Sequence, residues 1–279
     1  MSPHIRHFGH VWLELLDKIL MQGRDVAPRG KPTKELPQHT IVVPMRRPVL
    51  TVPERKLNYK FMAAEAYWIL TGDNRVSTIS PYNPHIAQFS DDGETYFGAY
   101  GPKVVDQLPY VVDTLIRDPD SRQAGLTIWR EKPPITKDVP CTVAAFFNIR
   151  ENYVNAHFYM RSSDAWLGVP YDVFNFTAIA FVVMSRLNAH YAKAFAKPRQ
   201  LGDPPRKVDP YRLGELYLTM ASSHLYETNW ADAKRCTDLW KVNEQWPLPE
   251  YGNEDEFMVV LKNLRDSKPG DSIRWWETR

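Results

Sequence analysis

Val139-Pro140-Cys141-Thr142 opens the decisive stretch of this chain, and Arg161-Ser162-Ser163-Asp164-Ala165-Trp166-Leu167-Gly168-Val169-Pro170-Tyr171-Asp172 closes it. Two strand-like runs lie between them. Residues 142–149 are apolar and β-prone, and in residues 154–160 Val154, Ala156, Phe158 and Met160 alternate with Asn155, His157 and Tyr159, the period of a half-buried strand. Arg150-Glu151-Asn152 joins them as a hairpin turn. After Asp172 the period changes. Val173, Phe176, Thr177, Ala180, Val183, Met184 and Leu187 recur at helical spacing, which predicts a central buried amphipathic helix.

Working outward, Val11, Leu15, Ile19 and Leu20 predict an N-terminal helix stopped by Gly23. Residues 24–37 are basic and rich in Pro and Gly, and read as a surface loop able to close on an anion. Helical spacing returns over residues 61–70 and ends at Thr71-Gly72-Asp73-Asn74. Within that apolar run Glu65 demands an explanation. Residues 79–101 are aromatic and turn-rich, and a helix over 107–117 stops at Asp118-Pro119-Asp120-Ser121. Beyond the central helix, residues 197–210 read as an external loop and 213–221 as a strand running into Ser222-Ser223-His224-Leu225-Tyr226. A polar helix over 230–240 and a mixed tail from residue 251 to Trp275-Trp276-Glu277-Thr278-Arg279 complete the chain, with no internal repeat.

The bulk properties exclude more than they specify. At 279 residues and 32.4 kDa the chain can bury a full core, and residues 1–279 read as a single domain. A formal net charge of +2 with 24% charged residues calls for no long polyanion, so nucleic acid is not required as a partner, while a small anion remains open. Cys141 and Cys236 are too few for a disulfide framework. With no apolar leader and no run near the roughly 18 apolar residues of a span, a soluble cytoplasmic protein is expected.

Cys141 carries the chemical question. A lone Cys is commonly a small buried hydrophobe; as a nucleophile it attacks as thiolate, a form that a neighbouring guanidinium stabilises. Arg161, at the end of a strand able to pair with the one after Cys141, is a sensible source.

These residues resemble the thymidylate synthase family over most of the chain, from the first helix through His224-Leu225-Tyr226. Glu65-Ala66-Tyr67-Trp68-Ile69-Leu70-Thr71-Gly72 resembles its early Glu helix, Ala99-Tyr100-Gly101 its Tyr-Gly turn, Asp120-Ser121-Arg122 its phosphate segment and Pro140-Cys141 its nucleophile. Arg161-Ser162-Ser163-Asp164 with Leu167-Gly168 resembles the family signature, and His224-Leu225-Tyr226 its ribose-contact motif. The resemblance implies an α/β (α+β) fold on a large bent mixed sheet flanked by helices, a homodimer packed through that sheet, and chemistry at C5 of a pyrimidine nucleotide. It implies 5,10-methylenetetrahydrofolate as co-substrate and no metal. Cys141 would add to C6 of the ring, with Glu65 as general acid/base and Tyr100 and Asp172 as further catalytic residues. Arg161, Ser162 and an Arg122 from across the dimer would hold the 5′-phosphate, with Arg29, or its competitor Arg24, closing over it. His224 and Tyr226 would bond the sugar hydroxyl, and Asp164 and Gly168, together with Glu65, would meet the folate.

The departures from that pattern are informative. Thymidylate synthases carry Asn where this chain has Asp172. An Asn amide can serve O4 and N3–H of uracil, whereas cytosine reverses that edge and suits a carboxyl group. An unpaired buried polar group costs about 1–3 kcal/mol, enough to redirect base choice. Asp172 also precedes the central helix as predicted, so an N-cap role competes with base reading. Cys141-Thr142 replaces the usual Cys-His and resembles deoxycytidylate hydroxymethylases, in which water captures the methylene intermediate. Gln123 and Met160 replace the usual Arg and Gln near the phosphate. The expected reaction is conversion of dCMP to 5-hydroxymethyl-dCMP; CMP or dUMP hydroxymethylation, C5 methylation, and a non-catalytic nucleotide- or RNA-binding member of the fold are the alternatives.

Overall fold

The computed structural model describes residues 7–195, 209–243, 247–248 and 252–268. Seven helices are described: α1 Phe8–Gln22, α2 Tyr59–Leu70, α3 Val76–Ile79, α4 Gly101–Arg117, α5 Val169–Phe195, α6 Trp230–Leu239 and α7 Glu254–Asp266. The strands are β1 Arg24–Val26, β2 Thr33–Pro44, β3 Gly125–Thr127, β4 Thr142–Arg150, β5 Tyr153–Met160, β6 Ser163–Asp164 and β7 Arg212–Tyr226. They form one mixed sheet in the order β1-β2-β7-β5-β4-β3, with β6 pairing β7 off that path.

The decisive stretch builds the middle of this sheet. β4 and β5 pair antiparallel with Thr142 opposite Met160, and Glu151 and Asn152 make the turn in left-handed conformations at φ 51 and 70. β5 then pairs parallel with β7, and a parallel neighbour requires a crossover, which α5 supplies. α5 lies on the sheet because its apolar residues match the inward residues of β5. Phe176 stacks on Phe158 with centroids 3.9 Å apart, and both are buried. Burying each such ring is worth about 1.5–3 kcal/mol. α1 packs against β2 and β7, while α2, α4 and α7 gather around α5. Trp12 of α1 donates its indole N–H to Ala165 O at 2.7 Å, which ties the first helix to the signature segment.

The sheet is irregular near the end of β7. Met220 is buried, then Ser223 and Leu225 are, so the alternation slips by one residue. In β2, between residues paired with Met220 and Ser222, Gln38 takes a φ of 48. His224 and Tyr226 lie beyond that slip.

Four expectations change. Residues 24–37 are not a plain loop: β1 pairs antiparallel with β2, and only the tip around Pro28–Gly30 is a turn, because its Pro and Gly residues cluster there. The helix expected over 107–117 begins at Gly101, with Pro102 in the first turn where a missing N–H is no loss. The tail contains a regular helix, α7, whose Asn253 side chain caps it by accepting from Glu256 N at 2.8 Å. Finally α5 begins at Val169, so Asp172 sits inside its first turn with its N–H bonded to Gly168 O at 2.9 Å. It is not the N-cap. The loop at 197–210 and the Trp275-Trp276 tail lie largely or wholly outside the described residues.

Candidate active site

Cys141 immediately precedes β4, and its carbonyl accepts from Arg161 N at 2.8 Å, continuing the β4–β5 ladder by one rung. The Arg161 guanidinium is anchored on the same segment. Nε donates to Pro140 O at 3.0 Å, Nη2 to Val139 O at 2.8 Å and Nη1 to Ser162 Oγ at 3.3 Å. Ser162 Oγ in turn lies 4.0 Å from Cys141 Sγ. Burial pushes the thiol above its ordinary pKa, Arg161 opposes this, and the carboxylates of Asp172 and Asp138 reinforce it. The expected activation by Arg161 is therefore present in direction but outweighed by burial. A further cation, such as one closing with a bound anion, favours the thiolate.

Tyr100, at the start of α4, accepts from Thr142 N at 3.3 Å through its hydroxyl. Burial, then the charges of Asp172 and Cys141, hold its phenol well above the ordinary range, so it stays neutral. Asp172 accepts from the buried Ser163 hydroxyl at 3.3 Å. Burial raises its carboxyl to about 6, with Ser163 opposing and Asp164 adding to the rise. Gly168 explains itself here: a Cβ at that position would stand 3.1 Å from Asp164 O and 3.2 Å from Asp172 Oδ2, crowding the carboxyl.

Glu65 faces inward from α2 and accepts from Asn175 Nδ2 at 2.7 Å. Burial raises it to about 7, Asn175 pulls it down, and Asp172 raises it further. A group of two carboxyls with pKa values near neutrality, a tyrosine and a thiol can hold and move protons at physiological pH.

Asp164 Oδ1 accepts from Trp166 N at 2.8 Å and Leu167 N at 2.9 Å, and Asp164 is paired in register with His224. Burial raises Asp164 and lowers His224, and each opposes the other's shift. Arg55 donates to Trp166 O at 3.1 Å and lies over the Trp166 ring at 5.0 Å. His224 and Tyr226 rings meet edge-on at 5.2 Å. Tyr226 is opposite Thr33, and Lys31 lies 5.9 Å from its ring, so the basic β1–β2 tip borders this end of β7. Arg29 sits at that tip, exposed, with φ 55. Arg122 is exposed ahead of the edge strand β3 and takes no part in the bonds joining Cys141, Arg161 and Ser162.

Sequence reasoning missed Asn175, Ser163, Arg55 and Asp138. Asn175 had a signal: an amide inside the long apolar central helix, matching the unexplained carboxylate of α2. Arg55 had none, since only folding lays it over Trp166.

The raised Glu65 has a measurable consequence. An acid with a folded pKa above its unfolded value contributes stability that is full below the unfolded pKa and is lost as pH rises through the folded value of about 7. Glu65→Gln removes that loss and can still accept from Asn175. Its stability relative to wild type, from denaturant unfolding, is expected to be greater at pH 8 than at pH 5 by on the order of 1–3 kcal/mol. An identical difference at both pH values counts against it.

The thymidylate synthase profile matches residues 10–197. With the mixed sheet and the Cys-Arg-Ser cluster in place, the chain belongs to the thymidylate synthase family. It is similar to the deoxyuridylate hydroxymethyltransferase of Bacillus phage SP01, at 30% identity over 183 residues, 57% of this chain and 46% of that protein. It is also similar to the deoxyuridylate hydroxymethyltransferase of Delftia phage PhiW-14, at 31% over 175 residues, 52% of this chain and 49% of that protein. The chain spans about half the length of the curated relatives it matches.

Proposed function

We propose that this chain, as one catalytic domain, is a pyrimidine nucleotide C5 hydroxymethyltransferase that converts dCMP to 5-hydroxymethyl-dCMP with 5,10-methylenetetrahydrofolate and water. The carrying observation is Asp172, a carboxyl in the first turn of α5 that accepts from the buried Ser163 hydroxyl and whose pKa burial pushes up to about 6. As an acid it donates to cytosine N3 while its other oxygen accepts from the 4-amino group; as a carboxylate it still accepts from that group. Uracil instead presents O4, an acceptor to which a carboxylate has no proton to give.

Cys141 Sγ bonds to C6, which makes C5 nucleophilic; covalent addition splits one hard step into easier ones. The folate supplies a one-carbon unit at the formaldehyde level and departs as tetrahydrofolate. Glu65, whose pKa suits proton transfer near neutrality, handles the ring protons, and Tyr100 stays a neutral hydrogen-bonding group beside Cys141. Water oxygen then bonds to the exocyclic methylene on C5 and loses a proton, and the C6–S bond breaks as the ring double bond reforms. Arg161 and Ser162 hold the 5′-phosphate, Arg29 closes on it, and His224 and Tyr226 hold the sugar hydroxyl. Asp164, with one oxygen bonded to two backbone N–H groups and the other left over, fits the N–H donors of a pterin.

A homodimer completes this reading, with Arg122 contributed across the interface. Supporting it, the sheet face opposite the helices exposes Phe146, Tyr153 and Tyr159, beside a stacked His157–Tyr217 pair at 4.6 Å. Exposed aromatic surface of this kind marks an association site. No described helix is long and apolar enough to cross a membrane, and a cytoplasmic site of action is part of the proposal.

The second reading is dUMP, favoured by the names of the phage relatives and by the fact that a protonated Asp172 fits uracil as well. Mass spectrometry of products from dCMP, dUMP and CMP with methylenetetrahydrofolate separates them. A mass gain of one hydroxymethyl group on dCMP is expected, and preferential turnover of dUMP overturns the base assignment.

A further inference from the structure

Asn175 lies one turn beyond Asp172 on α5 and is 3% exposed. Residues three apart on a helix share a face, so it stands beside Asp172 on the side turned to Glu65. Its amide nitrogen is used on Glu65, but its amide oxygen is buried with no hydrogen-bond partner among the described residues. A buried acceptor without a donor costs on the order of 1–3 kcal/mol. Phe176, the next residue, points instead to the sheet, where it stacks on Phe158, so the polar contact to Glu65 belongs to the face that Asn175 shares with Asp172. The amide oxygen is therefore placed for a donor that arrives with substrate or solvent.

We propose that Asn175 is a positioning residue for the hydration step: Nδ2 fixes Glu65, and Oδ1 accepts from the water that captures the exocyclic methylene. The water's role rests on the hydroxymethylation reading; the hold on Glu65 does not. With one O–H directed to Oδ1 and the other to the Glu65 carboxylate, the water presents a lone pair to the methylene carbon. Its oxygen forms the C–O bond, Glu65 takes the proton, and the methylene electron pair moves into the ring. The C5=C6 bond reforms as the C6–S bond breaks, and Cys141 leaves as thiolate. No further reactant is needed. The other titratable groups against Glu65 are Asp172 and Tyr171, both on α5.

Asn175→Leu removes both polar atoms at similar volume, and Asn175→Asp keeps an acceptor while setting a carboxylate against Glu65. Two readouts are followed: folate-free exchange of the nucleotide C5–H into deuterated solvent as a function of pH, and product mass in the full reaction. In Asn175→Leu the exchange midpoint is expected to move to higher pH, because Glu65 has lost the donor that favours its ionised form. Hydroxymethyl product should fall by about 10- to 100-fold at a nucleotide KM within about threefold. Asn175→Asp should raise the midpoint further, which covers the case in which the Leu variant does not fold. Unmoved midpoints, or hydroxymethyl formation within twofold of wild type in Asn175→Leu, overturn the proposal. Wild-type protein that forms no hydroxymethyl nucleotide overturns the reading it rests on, and the exchange midpoints then decide the hold on Glu65 alone.

Discussion

Cys141→Ser is expected to lower turnover by about 10⁴-fold or more, the scale seen when a nucleophile is removed from a site whose members act as a unit. A serine hydroxyl is far more reluctant to ionise than a thiol, and the site offers no base bonded to it. Cys141 is already held in its protonated form by burial, with only Arg161 and Ser162 drawing it toward thiolate. Nucleotide binding should survive, because the anchoring bonds of Arg161 run to the carbonyls of Val139 and Pro140 and to Ser162 and do not involve the sulfur. The check is a pair of measurements, product formation by mass spectrometry and nucleotide affinity by calorimetry. A denatured-protein mass scan should also find a nucleotide adduct on wild type and none on the variant. Turnover retained above about one part in a hundred would remove Cys141 as nucleophile. A wild type that binds nucleotide tightly but forms no product, with binding unaffected by Cys141→Ser, would favour the binding-only reading of the fold.

Asp172→Asn is expected to reverse the base preference. Cytosine loses the acid that meets N3 and acquires an amide that must mispair at N3 or at the amino group, while uracil gains both a donor to O4 and an acceptor for N3–H. Each mispaired buried group costs about 1–3 kcal/mol, so the ratio of kcat/KM for cytosine over uracil should change by roughly 10²- to 10⁴-fold. A second effect accompanies the first. Asp172 raises the pKa values of Cys141, Tyr100 and Glu65, and removing its charge lets all three come down. A gain on uracil would then not be masked by a poorer nucleophile. Competition between dCMP and dUMP in one vessel, read by mass, measures the ratio directly. An unchanged ratio would mean that the carboxyl serves Ser163 and the start of α5 and does not read the base.

Much of this site was legible before folding because its parts are neighbours in sequence. Cys141 and Arg161 are brought together by one hairpin, and alternation in β5 is enough to predict the pairing. Glu65 was legible as an anomaly, a carboxylate on an apolar helix. The misreadings share one cause, which is that local signals do not say where an element begins in space. The basic stretch before Thr33 looked like a loop because its Pro and Gly residues dominate, yet its ends pair as strands. Asp172 looked like a cap because the helical period starts after it, yet Val169 already belongs to α5.

From the sequence alone came the family, the β4–β5 hairpin with the central helix after it, the candidate nucleophile with its arginine, and the Asp-for-Asn exchange that bears on the base. Tertiary structure alone decided the protonation of the site and its supporting partners. Glu65 near 7 and Asp172 near 6 result from desolvation by α2, α5 and the signature segment packed together, and Asn175 meets Glu65 only because two distant helices cross there. A pKa measures how much water has been excluded around a group, and no stretch of chain can exclude water from itself.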